Sequence, residues 1–372
     1  MSSNTTANRS NKKWWTGALA LVLALPILLS GAVGSPQKVD AKGAITTKVQ
    51  KVKAAGRSFT VQTVSIPKGT PVTVGLAKKQ VGQTATLPSI VKAYGAQAAI
   101  NGAFFEAYQG APDPYGMLIA NGKVIHIGRY GTSIGFKADG SVLMDSLQVS
   151  LTGKVTDLNG KSRSWYATFV NRTPSADASI TMLYTPERGA NVGFKGGTAV
   201  VIEKGIVTKK VPNTNVAIPK NGSVLVFTGK EKSTSDRFTV GSTVEMNYRY
   251  TNAAGQEIPW QDVVTAVGAG PRLVKDGKIS VNPASEGFKD PKILNSSGAR
   301  SGIAIMGDGS IMLATVSGAT MKEWAAVMQK LGAKQAMNLD GGASSGMYAG
   351  GKMLTSPGRL LSNTLVFGGS IR

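Results

Sequence analysis

Apolar and polar positions alternate along this chain in short runs, and long amphipathic stretches are rare. In KVQKVKAAGRSFTVQTVSIPKG, Phe59, Val61, Thr63 and Ser65 fall on one side of an extended chain, with Val64 and Ile66 on the other. That period of two predicts strand. ASITMLYTP, GTAVVIEKGIVTKKV and GSVLVFTG read the same way, separated by Gly, Asn and Pro. Asn121-Gly122, Asp139-Gly140, Asp276-Gly277 and Asp308-Gly309 each sit between two such runs and predict hairpin turns. Two helices stand out. LPSIVKAY, begun by Pro88 and stopped at Gly95, is short. TMKEWAAVMQKLGA carries an apolar stripe of Met321, Trp324, Ala325, Met328 and Leu331 and ends at Gly332. The pattern is that of an α+β, β-rich single domain of mixed or antiparallel sheets with few helices.

Composition agrees. Of 372 residues, 42% are hydrophobic and 17% charged, so the chain can bury a proper core. The 46 glycines favour turns over helix interiors. Cysteine is absent, which excludes disulfides, zinc-thiolate sites and a cysteine nucleophile. The one histidine, His126, alternates with Val124, Ile125 and Ile127 in NGKVIHIG and reads as an ordinary strand residue. Without it no Ser-His-Asp triad can form on Ser344 or Ser345, and no G-x-S-x-G elbow is present.

The N-terminus places the rest outside the cytoplasm. Arg9, Lys12 and Lys13 precede an uncharged apolar run from Trp14 to Val33, followed by small residues. Residues 1–43 read as a signal peptide, with a membrane anchor through residues 14–33 as the other reading. Either predicts an exported chain: extracellular, in the cell wall, or on the outer face of the membrane. Residues 44–57 form a short extension, and 58–372 the main domain, with no exact repeat and no linker beyond 57.

The formal net charge is +22, and about +18 remains once residues 1–43 are removed. Outside a cell, such basicity suits anionic wall polymers. No recognition helix, RNA-recognition or finger pattern appears, so nucleic acid is not expected as a partner.

Four stretches could carry chemistry. In QAMNLDGGASSG, Asn338 and Asp340 lie two apart at a strand end and share a face. Gly341 and Gly342 let backbone amides approach a ligand, and with Ser344 and Ser345 could form an anion-binding nest. AAINGAFFEAY ends a small-residue strand at Asn101, then presents Phe104, an aromatic suited to a sugar face, and Glu106, a second carboxylate. GAGPR and SGARS bring Arg272 and Arg300 to strand ends, where guanidinium can pair with phosphate. A divalent metal ion at Asp340 is left open.

Taken in order, AAINGAFF, AVGAGPRLVKDGK, GARSGIAI and NLDGGASS resemble the phosphodiester glycosidase family, with the likeness running from about residue 60 to 370. VNRTP, LYTPERG, AIPKNGSVLVFTG and SNTLVFGG extend it. The resemblance implies hydrolysis of a sugar-1-phosphodiester at the anomeric carbon. By motif it assigns Asn101, Arg300, Asn338, Asp340, Gly341, Gly342 and Ser344 to the site. Ala103 and Ala343 stand where the family has glycine, and the loop before the second helix is shortened to ATVSGATM. The expected activity is therefore cleavage of a GlcNAc-1-phosphodiester-like bond in a wall or extracellular polysaccharide. The rival expectation is a non-catalytic binding protein for anionic wall glycopolymers.

Overall fold

The computed structural model describes residues 43–128 and 131–371. The leader or anchor read from the N-terminus lies outside the described residues. Among those described, no helix is long and apolar enough to cross a membrane.

Three sheets dominate, as the alternating pattern predicts. A seven-stranded sheet runs in the spatial order Thr46–Ala54, Arg57–Ile66, Ile311–Ala319, Gly298–Ile305, Gln335–Asn338, Arg272–Lys275, Lys278–Ile279. Every neighbouring pair in it is antiparallel. A five-stranded antiparallel sheet orders Lys352–Thr355, Met347–Ala349, Ala98–Asn101, Asn363–Phe367 and Val72–Leu76. The third sheet has twelve strands and holds most of residues 118–268. Strand Thr46–Ala54, from the stretch read as an extension, pairs with Arg57–Ile66 along its whole length.

The two faces of the seven-stranded sheet explain the alternation. Val64, Ile66, Ile303, Leu313, Met337 and Leu339 face a core shared with Ile100, Met347 and Leu365 of the five-stranded sheet. Phe59, Val61, Ala304, Ala314 and Ala336 face the opposite way and pack on the helix Met321–Lys330. Strand residues therefore divide between two cores by parity, which leaves few outward polar positions.

Helix α1 spans Leu87–Tyr94, with Pro88 in its first turn and Gly95 in the left-handed conformation at its end, as the sequence predicts. Helix α2, Pro291–Leu294, is one turn and is not foreseen by pattern. Helix α3 spans Met321–Lys330 and starts on a capping box between Thr320 and Glu323. Its apolar stripe buries Trp324 completely against the sheet. The hairpin turns at 121–122, 139–140, 276–277 and 308–309 all join paired strands.

Candidate functional site

The site forms where the seven- and five-stranded sheets meet. Strand Gly298–Ile305 pairs with Gln335–Asn338 so that Gly302 lies opposite Asn338. The ladder runs on past the strand end, with the Leu339 amide donating to the Ser301 carbonyl at 2.9 Å. Two more residues of that register bring Arg300 alongside Asp340 and Gly341. A Cβ on Gly341 would stand 2.9 Å from the Ala299 carbonyl oxygen and 3.9 Å from Arg300 Nη1. Glycine is required there by close approach. Gly342 needs its own glycine for another reason: its φ is +58°, with open space in front.

Arg300 is 3% exposed. Its Nε donates to Ala319 O at 2.8 Å, and its Nη2 to Lys292 O at 2.9 Å and Ser296 O at 2.6 Å. Among the described residues, Nη1, the nitrogen beside Gly341, makes no hydrogen bond, and no carboxylate lies within ion-pair distance of the guanidinium. Burial draws its pKa down. A buried cation that binds only neutral carbonyls is costly to keep and is suited to an incoming anion. One-turn α2 and the bend at Ser296 supply two of the three carbonyls, so this segment serves to hold the guanidinium.

Asp340 is half-buried, yet protein atoms crowd its carboxyl. Burial raises its pKa to about 7; hydrogen bonds from the Ser344 hydroxyl and the Gly341 amide, and the charge of Arg359, act in the opposite direction. The Gly341 amide reaches Oδ1 at 2.8 Å. A carboxyl with a pKa near neutrality can take or give a proton under ordinary conditions.

Asn101 holds the backbone of this loop. Its Nδ2 donates to Asp340 O at 2.6 Å, and its Oδ1 accepts from the Gly346 amide at 3.0 Å. The Asp340 amide donates in turn to Gly102 O at 3.0 Å. Both ends of the Asn101 amide are thus engaged with main chain, which makes it a positioning residue. Asn338 Nδ2 donates to Gly270 O and Leu339 O, whereas its Oδ1 is buried without a partner.

The nest expected from successive amides is narrower than the sequence suggests. Gly341 N bonds Asp340, Ser344 N bonds Gly341 O, Ser345 N bonds Gly342 O, and Gly346 N bonds Asn101. Only the Gly342 and Ala343 amides are left, because closing the turn consumes the others. The Ser345 hydroxyl is buried and unpartnered.

Arg272 is not brought to this loop. Register sets it opposite Met337, on the sheet face away from Asn338. Its guanidinium donates to Gln335 Oε1 and Met144 O, both at 2.7 Å. Gln335 lies five residues before Asp340, about 16 Å along an extended strand. Phe104 is half-buried and meets Phe288 edge-on at 5.8 Å, next to the Gly270 turn that Asn338 binds. Glu106 accepts from the Tyr108 and Gln109 amides at 3.0 and 3.1 Å and from Tyr115 Oη at 2.7 Å. The Tyr115 bond is the largest of several that lower its pKa. These three bonds shape the loop it opens.

Two residues that sequence reading missed, Arg359 and Tyr108, complete the rim. Gly358 N donates to Ala343 O at 2.8 Å, which brings Arg359 to the site. Arg359 Nη2 donates to Tyr108 Oη at 3.1 Å, with the guanidinium 4.9 Å from the ring centre. The charges of Lys292, Arg359 and Asp340 all act on the Tyr108 hydroxyl. Arg359 and Tyr108 carry no motif of their own, and only the fold brings them to Asp340.

His126 is fully buried on strand Lys123–His126, with Nε2 bonded to Pro114 O at 2.7 Å and Nδ1 unpartnered. Burial lowers its pKa to about 4, so it is neutral. A cavity of about 540 Å³, lined by Thr152, Tyr166, Arg237 and Asn247 among others, shares no wall with the Asp340 site. Among the described residues, no three His, Cys, Asp or Glu side chains gather as a metal-binding group.

Comparison with known proteins gives this geometry a context. A hypothetical protein from Synechocystis superposes with a TM-score of 0.75 at 26% identity, over 87% of this chain. The chain spans 62% of that protein's length. A protein from Burkholderia pseudomallei K96243 shares the fold at a TM-score of 0.66 and 22% identity, over 84% of this chain and 74% of its own. The zebrafish N-acetylglucosamine-1-phosphodiester alpha-N-acetylglucosaminidase catalytic domain, auto-inhibited by its pro-peptide, gives a TM-score of 0.45 at 11% identity, covering 89% of this chain and 85% of its own. That likeness is too distant for a comparison of sites. No curated protein sequence matches the chain. The phosphodiester glycosidase family model matches residues 196–367, the stretch that holds Arg300, Asp340 and Arg359. Over residues 196–367 the chain is thus similar to the phosphodiester glycosidase family, in the stretch that carries three of the four motifs of the sequence resemblance.

Proposed function

We propose that this protein is an exported hydrolase that cleaves a sugar-1-phosphodiester at the glycosyl bond, on a cell-wall or extracellular polysaccharide. The observation that carries this reading is the strand register that sets the loop of Asp340, a carboxyl with a pKa of about 7, alongside buried Arg300, whose Nη1 lies beside Gly341. Ionised Asp340 takes a proton from a water that attacks the anomeric carbon. The bond from that carbon to the phosphate oxygen breaks, and the phosphate monoester departs with the bonding pair. Such a leaving group is weakly basic and needs no proton, so a single carboxyl suffices where most glycosidases use two. Arg300 and Arg359 stabilise the charge that grows on the phosphate. Asn101 holds Asp340 in place through its backbone. The basic surface, with a formal charge of +22 over the whole sequence, favours encounter with an anionic polymer.

The test is to incubate the purified protein with a GlcNAc-1-phosphodiester in ¹⁸O water. Free sugar bearing ¹⁸O at the anomeric carbon supports the reading. Label in the phosphate means cleavage on the phosphorus side and refutes it. Saturable binding with no release makes the protein a binder of wall glycopolymers instead.

A further inference from the structure

The loop opened by Glu106 has no part in the chemistry above, yet it is built with care. Glu106 fixes the turn through two amides and the Tyr115 hydroxyl. The turn lifts Tyr108 until 76% of it is exposed, the most exposed aromatic among the described residues. An unsupported tyrosine at such a position would sample several rotamers. This one is held: Arg359 donates to its hydroxyl at 3.1 Å and lies 4.9 Å from its ring centre. Arg359 itself is tied to the Asp340 loop through the hydrogen bond from Gly358 N to Ala343 O at 2.8 Å. Among the described residues, the guanidinium has no carboxylate within ion-pair distance.

We infer that Tyr108 is a specificity platform, on which a pyranose ring attached to the far side of the phosphate stacks while Arg359 beneath it binds that phosphate. This rests on the reading of Asp340 as the centre of a sugar-phosphodiester site. One face of the ring is covered by the guanidinium, and a sugar stacks on the other. The apolar C–H face of a pyranose suits an aromatic plane, and its hydroxyls stay in water. An alkyl or lipid leaving group fits less well. The neighbours of Tyr108 in the turn are Gln109 and Gly110, both exposed, and Lys292 and Arg359 supply charge. Arg300 and Arg359 would then hold the phosphate from two sides, with one sugar at Asp340 and the next on Tyr108. The preferred substrate is a phosphate that links two sugars, as opposed to one capped by a small alcohol.

Two non-cleavable probes test this. Both are GlcNAc C-glycosides in which CH₂ replaces the glycosidic oxygen; one is a phosphonate methyl ester and the other a phosphonate esterified by a methyl glucoside. Their dissociation constants are measured by calorimetry with wild type, Tyr108→Ala and Tyr108→Phe. The readout is the ratio between the two probes, whatever either variant does to the shorter one. Wild type should prefer the disaccharide probe by about tenfold. Tyr108→Ala should collapse that ratio towards one, and Tyr108→Phe, which keeps the ring, should retain most of it. Equal affinities in wild type, an undiminished ratio in Tyr108→Ala, or no binding of either probe would each overturn the inference. A Tyr108-dependent preference in a protein that fails to cleave the O-linked diester would remove the hydrolase reading alone.

Discussion

The Asn101 side chain donates to the carbonyl of Asp340 at 2.6 Å, across 239 residues of sequence. With its other end on the Gly346 amide, it ties the strand Ala98–Asn101 of one sheet to the loop that leaves another. The carboxyl of Asp340 is therefore placed by a residue that never touches it.

Asn101→Ala leaves the Asp340 carbonyl and the Gly346 amide without this partner. We expect a loss of about 1–3 kcal/mol in chemical denaturation. We also expect kcat to fall with KM little changed, since the carboxyl loses its position while the cations remain. A rise in KM alone, with kcat intact, would assign Asn101 to substrate contact.

Arg300→Lys tests the unopposed guanidinium. Lysine offers three donors at one point and cannot span Ala319, Lys292 and Ser296 while keeping a donor beside Gly341. The expected outcome is a loss of about a hundredfold or more in kcat/KM on the phosphodiester. Wild-type kinetics in this variant would show that Nη1 is not used.

His126 bears on stability, through a sign opposite to that of Asp340. Its folded pKa, about 4, lies below the unfolded value of about 6.5. The unfolded chain binds the proton first, so this contribution is complete above about pH 6.5 and is lost as pH falls towards 4. Around it lie Asp113, Arg172 and the Arg188 that pairs with Asp113. His126→Gln should show a smaller drop in Tm between pH 7 and 4.5 than wild type, with hydrolysis maintained. Loss of hydrolysis in a folded His126→Gln protein would give the histidine a role this account denies it.

Gly302→Ala probes the packing that supports Arg300. The new methyl would lie 3.0 Å from the indole of fully buried Trp324 and 3.2 Å from Met337 O. Displacing that ring should cost about 1–3 kcal/mol, read as a lowered midpoint of urea unfolding. A stability equal to wild type would mean the helix α3 interface is looser than the contacts imply.

Local patterns made much of the fold legible. The period of two in FTVQTVSI assigns Phe59 and Val61 to one core and Val64 and Ile66 to the other, and the structure agrees. Pro88 and Gly95 mark the limits of α1, because one pre-sets the first turn and the other accepts a left-handed end. The Asp-Gly and Asn-Gly turns are equally local. What remained hidden depends on distant pairing. Arg300 comes alongside the Asp340 loop through strand register, which motif order alone does not show. Arg272 carries the same side chain as Arg300 but lies on the other face, which a one-residue change of parity decides. Arg359 and Tyr108 meet across 251 residues, next to the Gly358–Ala343 hydrogen bond. Helix α2, a single turn, is too short to leave a periodic trace.

The most direct measurement is the pH dependence of kcat/KM for wild type and Asp340→Asn on a GlcNAc-1-phosphodiester. Wild-type activity should rise with pH through a midpoint near 7, where Asp340 ionises. Asp340→Asn should lose at least about a hundredfold at pH 8. It should also be the more stable protein there, because the folded pKa of Asp340 lies above the unfolded value and that stability is lost as pH rises through about 7. A natively folded Asp340→Asn protein with full activity and an unchanged pH profile would contradict the account.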